Sequence, residues 1–274
     1  MTFRWLIIPL LFSLVACSSN DKKPENQTEK ALYEKAREAL EDRSYVVAQE
    51  RYKTLETLHP FGDYAEQAQL EMMFLHFEQS DMESVLAKSE RFIRMYPLHP
   101  NADYAYYLRG LAAYEMGYAS FVVKYWHDGN ANRDVTPLHD AFQYFSDLLI
   151  RYPDSRYTAD ARARMVFIRE RLATQQVEIA RYYMKRHAFV AAANRCETVI
   201  TQYPKTKANG DALALMVEAY QHLNMAAEAE QSLALLETNY PDHPQLASGS
   251  FVATDLPQTD RRSWLEIVTL GFFK

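Results

Sequence analysis

The sequence predicts an all-α fold, an α-solenoid of about five stacked helical hairpins, on three observations. The chain carries only 7 glycines in 274 residues and is rich in Ala, Leu, Glu, Gln and Arg, a composition that favours helix over strand. Five apolar-periodic segments each close on a proline, at His59-Pro60, Tyr96-Pro97, Tyr152-Pro153, Tyr203-Pro204 and Tyr240-Pro241. The same kinds of residue then recur at fixed distances from those prolines. The length is large for one compact core and suits a repeat array. A hydrophobic content of 48% excludes a largely disordered chain.

Each element follows from the spacing. Twelve residues before the prolines stand Ala48, Val85, Ala141, Ala192 and Ala229; eight before, Tyr52, Ser89, Phe145, Cys196 and Leu233; five before, Leu55, Phe92, Leu148, Val199 and Leu236. Offsets of 3, 4 and 7 share one helical face. The small residue lets two helices approach, the larger ones fill their interface, and the proline ends the second helix, B, of the hairpin. After the prolines come Ala65/Ala68, Ala102/Ala105, Thr158/Ala161 and Asn209/Ala212, small pairs that open the first helix, A, of the next hairpin. A lone hairpin cannot bury its own face, so neighbours must stack.

The prolines are 37, 56, 51 and 37 residues apart. The 56-residue interval holds an insertion from Gly117 to Val135. The 51-residue interval fits a long helix A from about Arg156 to Lys185. Thr136-Pro137 reads as an N-cap followed by proline at the first helical position, and Asp154-Ser155 offers another cap. The pattern resembles the tetratricopeptide repeat, whose period is about 34 residues. Five repeats are expected over 29–246, closing near 60, 97, 153, 204 and 241.

The ends read differently. Met1 to Arg4 is a short positive stretch and Trp5 to Val15 an apolar run too short to span a bilayer, so 1–16 is expected to be a signal peptide. Leu14-Val15-Ala16-Cys17 resembles the bacterial lipobox, which implies a lipidated Cys17, a lipid anchor and, with Ser18 following, the periplasmic face of the outer membrane. Residues 17–28 are polar and aperiodic, and are expected to form a flexible tether. In the 247–274 segment, Ser248 to Asp260 reads as linker. The apolar stretch from Arg261 to Lys274 either caps the last helix pair or docks at a partner or a membrane interface.

Lipobox, tether and repeats together resemble the BamD (ComL) family of lipoproteins of the outer-membrane β-barrel assembly machine. The resemblance is carried by Ala31 to His59, Tyr104 to Tyr114 (YAYYLRGLAAY), Asn132 to Ala141 (NRDVTPLHDA), Asp154 to Arg171 and Ala188 to Tyr203 (AFVAAANRCETVITQY), and by the irregular segment lengths. It covers most of the chain beyond the signal. It implies a scaffold that helps fold and insert outer-membrane β-barrel proteins. The expected partners are the POTRA region of the barrel-forming subunit, other assembly lipoproteins and unfolded outer-membrane proteins.

Chemistry-bearing patterns point away from catalysis. The 7 glycines form no G-x-G, and no G-x-S-x-G elbow exists. No two of the 8 histidines lie four apart, so neither metal nor cofactor is expected. A formal net charge of -6 disfavours nucleic acid. With Cys17 lipidated, Cys196 stands alone in a helix, as a small core residue or, less naturally, a nucleophile. The surplus is aromatic: of the 19 tyrosines, Tyr64, Tyr104, Tyr106, Tyr107 and Tyr114 fall with Phe74 and Phe77 on the helices A of repeats two and three. They either pack the core or line a groove for extended peptides. Tyr64, Tyr104, Tyr107 and Arg109 are the candidate groove residues, the guanidinium being suited to a chain-end carboxylate. Arg195 interrupts the apolar run Ala188 to Val199, as a solvated residue or as one that pairs with a partner's carboxylate. Two other functions compete: a repeat scaffold for cell-wall or division proteins, and an anchored periplasmic enzyme.

Overall fold

A computed structural model describes residues 28–125 and 134–254, with only the backbone described from 119 to 125. The signal segment, Cys17 and the apolar segment from Arg261 onward lie outside the described residues. Those described form ten α-helices and a short 3-10 turn, with no strand among them. The helices are α1 (Glu29–Glu41), α2 (Tyr45–Leu58), α3 (Ala65–Glu78), α4 (Met82–Met95), α5 (Ala102–Tyr125), α6 (Thr136–Arg151), α7 (Thr158–Lys185), α8 (Phe189–Gln202), α9 (Ala208–His222) and α10 (Ala226–Asn239); the turn is Pro244–Leu246. No described helix is long and apolar enough to cross a membrane.

Odd-numbered helices are the A members of the hairpins and even-numbered ones the B members. All five B helices end alike. Their caps, His59, Tyr96, Tyr152, Tyr203 and Tyr240, leave the helical region at φ between -122° and -137°. The following proline ring excludes the helical conformation from the residue before it. Each cap N–H still donates to the carbonyl of the residue five before the proline, so the last turn stays closed. The turns between A and B share a device as well. Arg43, Ser80, His187 and Asn224 adopt left-handed φ of 57° to 60°, each two residues before its B helix begins.

The side chains at the repeat positions are buried as the spacing requires. Ala48, Val85, Ala141 and Ala192 have no exposed surface, nor do Leu55, Phe92, Leu148, Val199 and Leu236. The last hairpin departs at one place: Leu233 is half-buried and its neighbour Ser232 takes the interior position, its hydroxyl donating to Glu228 O. The N-cap of α6 lies one residue earlier than Thr136-Pro137 suggests, at Val135, with the Thr136 N–H donating to Asp134 Oδ1 at 2.9 Å. Helix α7 begins at Thr158, two residues after the expected start. Ser155 serves the preceding loop, where its Oγ accepts from Tyr157 N. The insertion after Gly117 is helical as far as Tyr125, because α5 runs on into it.

The chain divides into two compact units, one ending at Ala68 and one starting at Gln69, inside α3. In the first, α1 pairs with α2. In the second, α4 through α10 pack on one another in chain order. One cluster joins Leu70 and Met73 of α3 to Val85 and Phe92 of α4 and to Ala105, Leu108 and Ala112 of α5. A larger one runs from Phe145 of α6 through Ile168 and Leu172 of α7 and Cys196 of α8 to Ala212 of α9. After the last helix the chain turns back on α9. Gln245 Nε2 and Thr254 N both donate to Glu218 Oε1, at 2.6 and 2.8 Å, and Phe251 packs on the cluster of Leu213, Ala214 and Leu236. The stretch from Ser248 to Thr254 is thus held against the last hairpin, where the sequence alone reads as free linker.

Candidate functional site

Residues 104, 107, 111, 114 and 118 of α5 repeat at intervals of three and four and share one helical face. The same holds for 160, 164 and 167 of α7, with Tyr157 at its N-cap. The two faces meet. The Tyr107 and Tyr157 rings stack with centroids 4.6 Å apart and planes 14° apart, and Tyr104 lies 5.5 Å from Tyr157. Further along, Tyr114 stands 5.9 Å from Phe167 and Tyr118 6.2 Å from it. The result is a two-helix aromatic strip. Its outer end is open, Tyr118 being 41% and Phe167 38% exposed.

Charges are set into this strip in pairs. The Tyr107 hydroxyl donates to Asp160 Oδ2 at 2.8 Å, and Arg164 Nε donates to the same oxygen at 2.6 Å. Arg164 also lies 4.8 Å from the Tyr114 ring centre and 3.8 Å from Glu115. Burial, followed by the hydrogen bond to Asp160, pushes the Tyr107 phenol up to about 12. Burial raises Tyr104 further, helped by the neighbouring Tyr157 and Tyr107. Both phenols therefore stay neutral donors throughout the physiological range. For Asp160, burial alone would raise the carboxyl, but hydrogen bonds from Arg164 and Tyr107 outweigh it and hold the group below its ordinary value.

The expected groove residues do not all gather here. Tyr104 and Tyr107 belong to the strip. Arg109 lies on the opposite side of α5, with its side chain 12% exposed. There its Nη2 donates to Asp147 Oδ2 at 3.0 Å and its guanidinium stacks over Tyr144 and Tyr106 at 4.2 and 5.1 Å. The helical turn explains the separation, since two residues' displacement from 107 to 109 is about 200° of rotation. Tyr106 is buried on that same closed side. Tyr64 precedes α3 instead of lying on it. It belongs to the first unit, where it stacks on Tyr33 at 4.6 Å and its N–H donates to Glu29 Oε1 at 2.7 Å. The residues that sequence reasoning missed are Tyr118, Tyr157, Asp160, Arg164 and Phe167. Their signal was the three-and-four spacing on α7, which needed the pairing of α7 with α5 to acquire meaning.

Arg195 sits half-buried on α8, where its Nη1 donates to the neutral Gln176 Oε1 at 3.2 Å. No carboxylate among the described residues lies within ion-pair distance of it. Cys196 beside it is fully buried, and burial pushes its thiol up to about 12, so it is packing material and no nucleophile at neutral pH.

The sequence model of a family described as outer membrane lipoprotein, YfiO, matches residues 25–236. The outer membrane protein assembly factor BamD of Neisseria meningitidis serogroup A is 36% identical over 247 residues, spanning 88% of this chain and 92% of that protein. BamD of Xylella fastidiosa strain 9a5c is 36% identical over 215 residues, spanning 78% of this chain and 73% of its own. BamD of Vibrio cholerae serotype O1 is 34% identical over 234 residues, spanning 85% and 95%.

Proposed function

The chain belongs to the BamD family of outer membrane lipoproteins, and from that premise we propose that it is a lipid-anchored periplasmic scaffold of the β-barrel assembly machine that holds unfolded outer-membrane proteins on the α5/α7 aromatic strip. The strip is the observation that carries this reading. A strand on its way to a barrel has alternating aromatic side chains and unpaired backbone groups. Flat rings accept the side chains, and hydroxyls accept or offer hydrogen bonds. Tyr118 and Phe167, in contact with each other and both partly exposed, would take a terminal aromatic ring against their open faces. Arg109 is engaged by Asp147 and has no part in this contact.

The test is titration of a peptide ending in Phe, and of the same peptide lacking it, against the folded chain. Tyr107→Ala and Phe167→Ala should weaken the Phe-ended peptide roughly three- to tenfold, as expected for loss of about 0.5–1.5 kcal/mol of ring contact. Arg109→Ala should alter melting and leave binding alone. Indifference to the terminal Phe would reject the strip as the binding face.

Arg195 supports contact with the barrel-forming subunit's POTRA region. A half-buried guanidinium facing only a neutral amide has unspent capacity for a carboxylate, which a partner would supply. Losing one member of such an interfacial pair costs about 2–5 kcal/mol. Arg195→Leu should therefore abolish co-purification with the β-barrel subunit in mild detergent, and a complex of full strength would exclude the contact. Cys17→Ala should leave an uncleaved or mislocalised precursor; membrane fractionation and mass unchanged from wild type would overturn lipidation at that residue.

A further inference from the structure

The loop that closes α2 carries the most exposed large apolar side chain among the described residues of the first unit. Phe61 is 94% exposed, and Leu58, three residues before it on the last turn of α2, is 42% exposed. Pro60 stiffens the tip between them. Full exposure of a phenylalanine gives up about 1.5–3 kcal/mol of available burial. No other side chain among the described residues of the unit covers it.

The position of this tip is fixed by Glu29. The Glu29 carboxylate accepts from the Tyr64 N–H, and it lies so close over Gly62 that a Cβ there would collide with it. Tyr33, one turn along α1, stacks on Tyr64. The start of α1 is thereby clamped to the residue next to Phe61. The lipid anchor reaches the folded chain at that same place, because only 11 residues separate Cys17 from Glu29. Fully extended, they reach about 40 Å.

We propose that Phe61, with Leu58, is a second membrane contact that inserts into the lipid interface beside the acyl anchor and so fixes how the first unit faces the membrane. This rests on lipidation at Cys17. Two physical points favour lipid over a protein partner. The patch is a convex tip of two side chains, far short of the roughly 1,000 Å² that a stable protein interface buries. Anchoring also turns insertion into an intramolecular step, at an effective concentration on the order of millimolar, so one ring suffices where a free protein would need many.

The acylated chain is reconstituted into vesicles of phosphatidylethanolamine and phosphatidylcholine, with an environment-sensitive fluorophore on Leu58→Cys. Cys196 is buried and does not compete for the label. Lipids brominated on their acyl chains should quench this label severalfold more than one on Val190→Cys, a residue 59% exposed on α8. Adding Phe61→Asp should abolish the difference with melting unchanged. A label at 58 that stays as accessible to aqueous iodide as the one at 190 would overturn the proposal. So would a label shielded from iodide yet unquenched by lipid, which would assign the tip to a protein contact. A chain whose mass shows no acyl groups would instead remove the premise.

Discussion

Helix α5 presents two aromatic faces that differ in fate. On one, Tyr106 and Arg109 meet Tyr144 and Asp147 of α6, and the guanidinium side chain is 12% exposed. On the other, Tyr107 and Tyr114 meet Asp160 and Arg164 of α7, and the side chain of Arg164 is 26% exposed. Both faces hold tyrosines around an Arg–Asp pair, so composition does not separate them. Close approach does. At Gly110 a Cβ would collide with the Phe145 ring, so α6 can lie tightly on that side. On the α7 side the contact is made by rings, Tyr107 and Tyr157 face to face and Tyr114 edge-on to Phe167, and the outer rings remain open. One face is closed over by α6, while the other keeps open rings at its outer end, even though Tyr107 also touches Phe145 of α6.

Perturbing the closed face should cost the most stability. Phe145→Ala, at a fully buried ring against Gly110, should destabilise by about 3–5 kcal/mol in chemical denaturation. A loss under about 1 kcal/mol would mean that α6 is not seated as described. Next come the fully buried repeat alanines. Ala141→Leu and Ala192→Leu should cost about 1–3 kcal/mol by overpacking, read as a lower denaturation midpoint with unchanged slope.

One substitution on each face sharpens the contrast. Arg109→Ala removes a hydrogen bond and two cation–π contacts and should cost about 1–2 kcal/mol with peptide affinity unchanged. Tyr107→Phe removes one hydrogen bond to a carboxylate and should cost about 0.5–1.5 kcal/mol. A reversed order of stability loss between these two would show that the α7 side is the better-sealed face.

The smallest effect is on pH. The folded chain holds Asp160 below its ordinary value, so the stabilisation is complete above the usual carboxylate range near pH ~4 and fades as pH falls through the lower, folded value. Acidification from pH ~5 to ~3 should therefore lower the melting temperature of the wild type more than that of Asp160→Asn. Parallel curves would show that Arg164 and Tyr107 do not hold the ionised form.

The all-helical repeat was legible because backbone and proline chemistry are local. Pro60, Pro97, Pro153, Pro204 and Pro241 each forbid helix at the residue before, and the small residues twelve positions earlier mark where helices touch. The lipobox reading is equally local, resting on Leu14 to Cys17, four consecutive residues outside the described ones. The site was only half legible. Tyr104 and Tyr107 were identified as groove residues and lie in the strip, but Arg109 turned to α6 and Tyr64 to α1. A sequence fixes the angle between side chains of one helix. It does not say which neighbour covers which angle, because that depends on the close approach of α5 to α6 at Gly110 and on the length of α7. Ser248 to Thr254 teaches the same: nothing in its composition announces a docked segment, since its hold comes from Glu218, some thirty residues earlier. Sequence alone determined the hairpins, whose causes lie within a few residues. Tertiary packing alone decided which tyrosines are open, because exposure is a property of two helices and not of one.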